Sequence, residues 1–139
     1  MEKMKRSINI HDMHLTDGSA EHSDMTAAAE IYADEKTVTV VYDEPSEEMK
    51  GCRTEIKAFG SERVEITRKG AYSSVMIIEK GRRNACVYST PIGDIRMGFT
   101  GTEITVNFNG GRLNKLSFSY EIDADGGTVS KNRIRITEI

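Results

Sequence analysis

Cys52-Arg53-Thr54-Glu55-Ile56-Lys57-Ala58-Phe59-Gly60-Ser61-Glu62-Arg63-Val64-Glu65-Ile66-Thr67-Arg68-Lys69-Gly70 is the stretch that decides the fold. Its first half sets Cys52, Thr54, Ile56 and Ala58 against Arg53, Glu55 and Lys57. Successive strand side chains point to opposite faces, so this is a half-buried strand with the first set inward. Phe59-Gly60-Ser61 then supplies a turn, because glycine accepts the positive φ of a tight hairpin. Beyond it Val64, Ile66 and Arg68 share a face, and Lys69-Gly70 stops the second strand.

The same rhythm runs outward in both directions. Val38, Val40 and Tyr42 oppose Thr37 and Thr39; Ile104, Val106 and Phe108 oppose Thr105 and Asn107. Leu116, Phe118, Tyr120 and Ile122 oppose Ser117, Ser119 and Glu121, and Ile134 with Ile136 alternates with Arg133 and Arg135. Asn109-Gly110-Gly111 and Asp125-Gly126-Gly127 are hairpin signals. Thr90-Pro91-Ile92-Gly93 has Pro second and Gly fourth, as a type I turn prefers, and Gly93 is expected to have little room for a side chain. A glycine turn recurs at the spacing of short antiparallel strands from Asp17 to Gly127, which predicts an all-β sandwich or barrel of about ten strands without substantial helix.

Met25 to Ala33 is the ambiguous segment. Ala27-Ala28-Ala29-Glu30 favours helix by propensity, but Ile31-Tyr32 and the Asp34-Glu35 turn lead into the next strand, which predicts a strand. Two longer links remain. His14 to Asp24 is polar and expected to be mobile; in Glu44 to Gly51, Ser46-Glu47-Glu48-Met49 can form one helical turn. Neither repeat nor linker divides the chain, so residues 1–139 are expected to form one barrel domain.

The net charge of -3 argues against nucleic acid and anionic membrane as partners. No apolar run has the length of a membrane span, and the basic Met1–Arg6 segment is not followed by an apolar core, which points to a cytoplasmic protein. Cys52 and Cys86 then read as buried thiols. His11 and His14 are three apart and face opposite sides of a strand, so His11, Asp12, His14, His22 and Asp24 imply no metal. The Lys80-Gly81-Arg82-Arg83 turn is basic but lacks interleaved aromatics, as expected of solvated charge. No phosphate loop, nucleophile elbow or catalytic triad is present, and no cofactor is implied.

Polar residues of inward parity are the functional candidates. Arg68 extends the apolar row of Val64 and Ile66, so its guanidinium must reach solvent, meet a carboxylate or bind an anion. Glu44, two residues beyond Tyr42, has the parity to meet it. Tyr42, Tyr88 and Tyr120 also point inward, and Thr90 continues the row of Cys86 and Tyr88. Together these residues could line a pocket with a few convergent polar groups; the tyrosines read equally as core residues bonded to backbone.

Arg68-Lys69-Gly70 and Tyr88-Ser89-Thr90-Pro91-Ile92-Gly93 resemble motifs of the YwiB-like proteins, as do Tyr42-Asp43-Glu44, Leu116 to Tyr120 and Asn132 to Ile136. The resemblance extends from about Ile8 onward. It implies a closed, calycin or lipocalin-like barrel and carries no established activity. The expectation is a non-enzymatic barrel binding a small molecule in its interior or mouth through Arg68, Tyr42, Tyr88, Tyr120, Thr90 and Glu44. Phe118, Met97 and Ile56 would form its apolar wall. The competing expectation is an interaction module acting through its surface, or as a homodimer, around Arg82 and Arg83.

Overall fold

The structure is a computed structural model and describes residues 3–124 and 127–139. Ten strands follow one another: β1 (Lys3–Thr16), β2 (Ser19–Ala33), β3 (Thr37–Asp43), β4 (Arg53–Phe59) and β5 (Arg63–Lys69). β6 (Ser74–Glu79), β7 (Arg83–Thr90), β8 (Gly93–Asn109), β9 (Arg112–Ala124) and β10 (Gly127–Glu138) complete them. They form one antiparallel sheet in the order β6-β5-β4-β3-β2-β1-β10-β9-β8-β7. Strands adjacent in the chain are neighbours in the sheet, except that β1 pairs with β10 and β6 meets β7 without a continuous ladder. The sheet curls so that these outer strands approach, giving a nearly closed barrel. No helix is found among the described residues, and so none long and apolar enough to cross a membrane.

The alternation read from the sequence is the alternation of burial. Cys52, Thr54, Ile56 and Ala58 are each at most 1% exposed, while Arg53 and Glu55 face out. Ile8, Ile31, Val40, Val64, Ile78, Leu113, Leu116, Phe118 and Ile136 fill one end of the interior. Each such side chain contributes about 1.5–3 kcal/mol by leaving water. At this end the Glu138 carboxylate, with its side chain 3% exposed, accepts hydrogen bonds from Arg6 and Arg112 at 3.1 Å and from the Leu113 amide at 3.4 Å. It ties β1, β9 and β10 together where they begin or end.

Two expectations about the links change. His14 to Asp24 is no mobile loop: β1 and β2 pair from Lys3↔Tyr32 to Thr16↔Ser19, joined by Asp17 and Gly18 at φ of 48° and 76°. Two positive φ values in a two-residue link suit the right-handed twist of the flanking strands. The strand expected over Met25 to Ala33 is the inner half of β2. Ser46 to Met49 makes a turn rather than a helix, with bonds from the Met49 amide to Ser46 and from the Lys50 amide to Glu47, both 3.3 Å. Gly93 has open space around its α-carbon, contrary to the crowding expected, and its φ of 131° is what favours glycine. Asp125 and Gly126 of the last expected turn lie outside the described residues; β9 and β10 pair on either side at Gly127↔Ala124.

Closure depends on glycine in a different way. A methyl on Gly101 of β8 would lie 2.6 Å from the Glu79 carbonyl oxygen. This lets the β6–β7 turn lie across β8, where the Gly81 amide bonds the Gly101 carbonyl at 2.8 Å. Elsewhere the β6–β7 seam is held by two short bridges, Ser73↔Ser89 and Glu79↔Arg82.

Candidate functional site

The other end of the barrel is hollow. A cavity of about 280 Å3 opens there, and all ten strands contribute to its wall. The reason lies in the inward rows, which turn polar as they approach this rim: Ile8, Ile10, then Asp12 on β1; Val38, Val40, then Tyr42 on β3. On β5 the row runs Val64, Ile66, then Arg68. Four methionines, Met25, Met49, Met76 and Met97, line the space among Ile56, Ile66 and Phe99. The Glu44 to Gly51 link contributes Glu44, Ser46 and Met49 to the lining.

Arg68 is the centre of the polar end. The register Tyr42↔Thr54↔Arg68 sets three inward side chains side by side on β3, β4 and β5. The Arg68 guanidinium donates through Nε to the Thr54 hydroxyl and through Nη1 to the Tyr88 hydroxyl, each at 3.2 Å. Thr54 in turn donates to Glu44 Oε2 at 3.3 Å. Arg68 Nη2 stands 3.9 Å from the same oxygen, so the two charges attract across a gap that the threonine hydroxyl bridges. The side chains of Arg68 and Glu44 are 15% and 6% exposed, in a setting where such a pair is screened less than on the surface.

Burial governs the protonation of this group. It raises the Glu44 carboxyl above its usual value, against the opposing pull of Arg68 and Thr54. It likewise raises Asp12, against His14, His11 and Arg68. Burial alone would lower Arg68, but Glu44 and the Tyr88 hydroxyl outweigh it and hold the guanidinium above its ordinary value. Burial drives the Tyr42 and Tyr120 phenols far above the usual range, so both remain hydroxyls at any ordinary pH. A charged arginine, two carboxyl groups and three phenols therefore face a space walled by thioethers and aliphatic groups.

Five of the six residues singled out from the sequence, Arg68, Tyr42, Tyr88, Tyr120 and Glu44, meet at this cavity. Thr90 does not line it; its hydroxyl bonds the Gly93 carbonyl at 2.7 Å in the β7–β8 hairpin, one step beyond the rim. Ile56 and Met97 are wall residues, whereas Phe118 lies beneath, its ring stacked 6.0 Å from that of Tyr120. Asp12 is the participant missed from the sequence, although the spacing Ile8, Ile10, Asp12 carried the signal. Asp12 and Tyr120 also border a polar recess of about 310 Å3 with His14, Glu21 and Asn132.

His11 and His14 do face opposite sides. His14 Nδ1 lies 2.5 Å from Asn132 Oδ1, while His11 lies outside with Asp24 at 2.9 Å and His22 at 3.3 Å. Among the described residues no group of three or more His, Cys, Asp or Glu side chains could hold a metal ion. The Arg83 of the basic turn is engaged by both oxygens of Asp123 at 2.8 Å. Cys52 and Cys86 are free and buried, as expected.

A family model described as a domain of unknown function (DUF1934) matches residues 8–136. The chain belongs to this family. The crystal structure of the ywiB protein from Bacillus subtilis is similar, with a TM-score of 0.76 over 99% of this chain and 93% of that one. At 17% identity the likeness speaks for the fold alone. The YwiB-like resemblance drawn from the sequence is thereby confirmed for this DUF1934 domain, together with its ten-stranded antiparallel barrel. No curated protein has a matching sequence.

Proposed function

We propose that this DUF1934 barrel is a non-enzymatic carrier or sensor of a small molecule, bound in the cavity beneath the Glu44 to Gly51 link. One observation carries the reading: Arg68, held mostly out of water, opens onto unfilled space of about 280 Å3 instead of a packed core. Removing a guanidinium from bulk water is costly, and a fold that needed only stability would place an aliphatic side chain there. A concave, largely apolar space with a few convergent polar groups is the usual form of a ligand site. Lipocalin-like barrels carry ligands in the same position, an analogy of fold that lends the reading some weight. The two free thiols favour a cytoplasmic setting.

Native mass spectrometry of gently purified protein, compared with the denatured chain, tests it. An added mass that disappears on denaturation and is reduced in Arg68→Met is the expected result. An apo spectrum, with no small molecule from a metabolite extract retained by wild type, would refute it. A second reading rests on Val75 and Val87, which are 56% and 48% exposed on the strands flanking the β6–β7 seam. An apolar surface there suits self-association, and a concentration-independent monomer in the same spectrum would exclude it.

A further inference from the structure

The cavity's own charges say what kind of guest it takes, given that it is a binding site at all. With histidines counted neutral, Asp12 and Glu44 bring two carboxylates to a space that holds one guanidinium, Arg68. The guanidinium donates two of its five N–H groups, to Thr54 and Tyr88, and its charge stands 3.9 Å from that of Glu44. Hydrogen bonds among the described residues stop at those four side chains. They leave the Asp12 carboxylate and the Tyr42 and Tyr120 hydroxyls facing the cavity. Besides the remaining guanidinium N–H groups, the unfilled positions are one anionic acceptor and two phenols that can accept as readily as donate. Phenol rings and methionine sulfurs also suit a cation carried on an apolar body.

We infer that the ligand is a primary amine or similarly cationic donor on a small apolar body, its head at Asp12 between Tyr42 and Tyr120 and its body among the cavity methionines. A carboxylate guest could reach the remaining Arg68 N–H groups only beside two carboxylates whose combined charge exceeds that of the guanidinium. A cation supplies the missing charge and donates to each of the three open acceptors. The apolar part then covers Ile56, Ile66 and Phe99, which no polar guest would do.

Three matched probes test this: 2-phenylethylamine, 2-phenylethanol and 3-phenylpropionate, titrated at neutral pH into protein labelled at the methionine methyl groups. The labels report location, because Met25, Met49, Met76 and Met97 line the cavity while Met4 and Met13 do not. The amine is expected to shift the four cavity signals and to bind roughly tenfold or more tightly than either analogue. Asp12→Asn should reduce the amine to the level of the alcohol. Asp24→Asn, which removes a carboxylate from the outer face, should leave it unchanged and so exclude general attraction to a negative protein. If the alcohol or the carboxylate binds as tightly as the amine, the charge inference fails and the cavity reading stands. If no probe moves the cavity methyls, both fail.

Discussion

Gly70 and Gly93 both sit at positive φ, yet replacing them should have very different consequences. At Gly93, with φ of 131°, a methyl group would meet nothing within 4 Å, so Gly93→Ala bears conformational strain alone, about 1–3 kcal/mol. At Gly70, with φ of 139°, the methyl would also lie 2.9 Å from both the α-carbon and the sulfur of Cys52. Backbone cannot swing aside as a flexible side chain can, and overpacking of this kind adds about 1–3 kcal/mol. Gly101→Ala isolates the second effect, because there the methyl meets the Glu79 carbonyl at 2.6 Å without an unusual φ. The expected order is Gly93→Ala and Gly101→Ala at about 2 kcal/mol each, and Gly70→Ala at about 4 kcal/mol. For a domain of this size that corresponds to melting temperatures lower by roughly 8 and 15 °C. Thermal and urea denaturation of the three variants and wild type would measure this. Gly70→Ala costing no more than Gly93→Ala would refute the close approach of β5's end to Cys52, and with it the position of the link above Arg68.

Two further outcomes follow from the charges. Asp12 is raised from 3.8 by burial, so the folded protein holds its proton more tightly, and that contribution to stability is present in acid and lost as pH rises through the folded value. Asp12→Asn should therefore melt higher than wild type at pH 7 and equal to it below pH 3.8; a variant less stable at pH 7 would show that Asp12 has a stabilising partner. Glu138→Gln should lower stability by about 1.5–3 kcal/mol, because a buried charged acceptor for Arg6, Arg112 and the Leu113 amide is lost, and an unchanged urea midpoint would contradict that network.

How much of this was legible in sequence depended on whether a strand had one dry face. From Val38 to Arg68 every inward residue is apolar until the rim, so parity alone aligned Tyr42 and Arg68 across two strands never seen together. Ser19 to Asp24 is exposed throughout, since this end of the β1–β2 hairpin projects beyond the core. With no dry face there was no period to read, and the hairpin looked like a loop. Asp12 did continue the dry row of Ile8 and Ile10, but beside His11 and His14 it was weighed as a metal ligand. Thr90 failed for the opposite reason: its parity is correct, but alternation carries no information about where a strand passes the rim. The gap between Arg68 and Glu44 was beyond sequence altogether, because it depends on how the link after β3 folds back over Thr54.

A tube that is seamless resists twisting because shear is carried around its whole circumference; slit lengthwise, the same wall becomes compliant. This barrel is slit between β6 and β7, where two short bridges replace a ladder. Arg68 stands on β5 to one side of the slit and Tyr88 on β7 to the other, and their 3.2 Å hydrogen bond is a strut across it. A guest that drew Arg68 or Tyr88 away would remove the strut and let the bore widen. One that engaged both would replace it and stiffen the wall. For a ligand of the proposed kind, bore and occupancy would be coupled at Arg68, the residue that breaks the apolar row of β5.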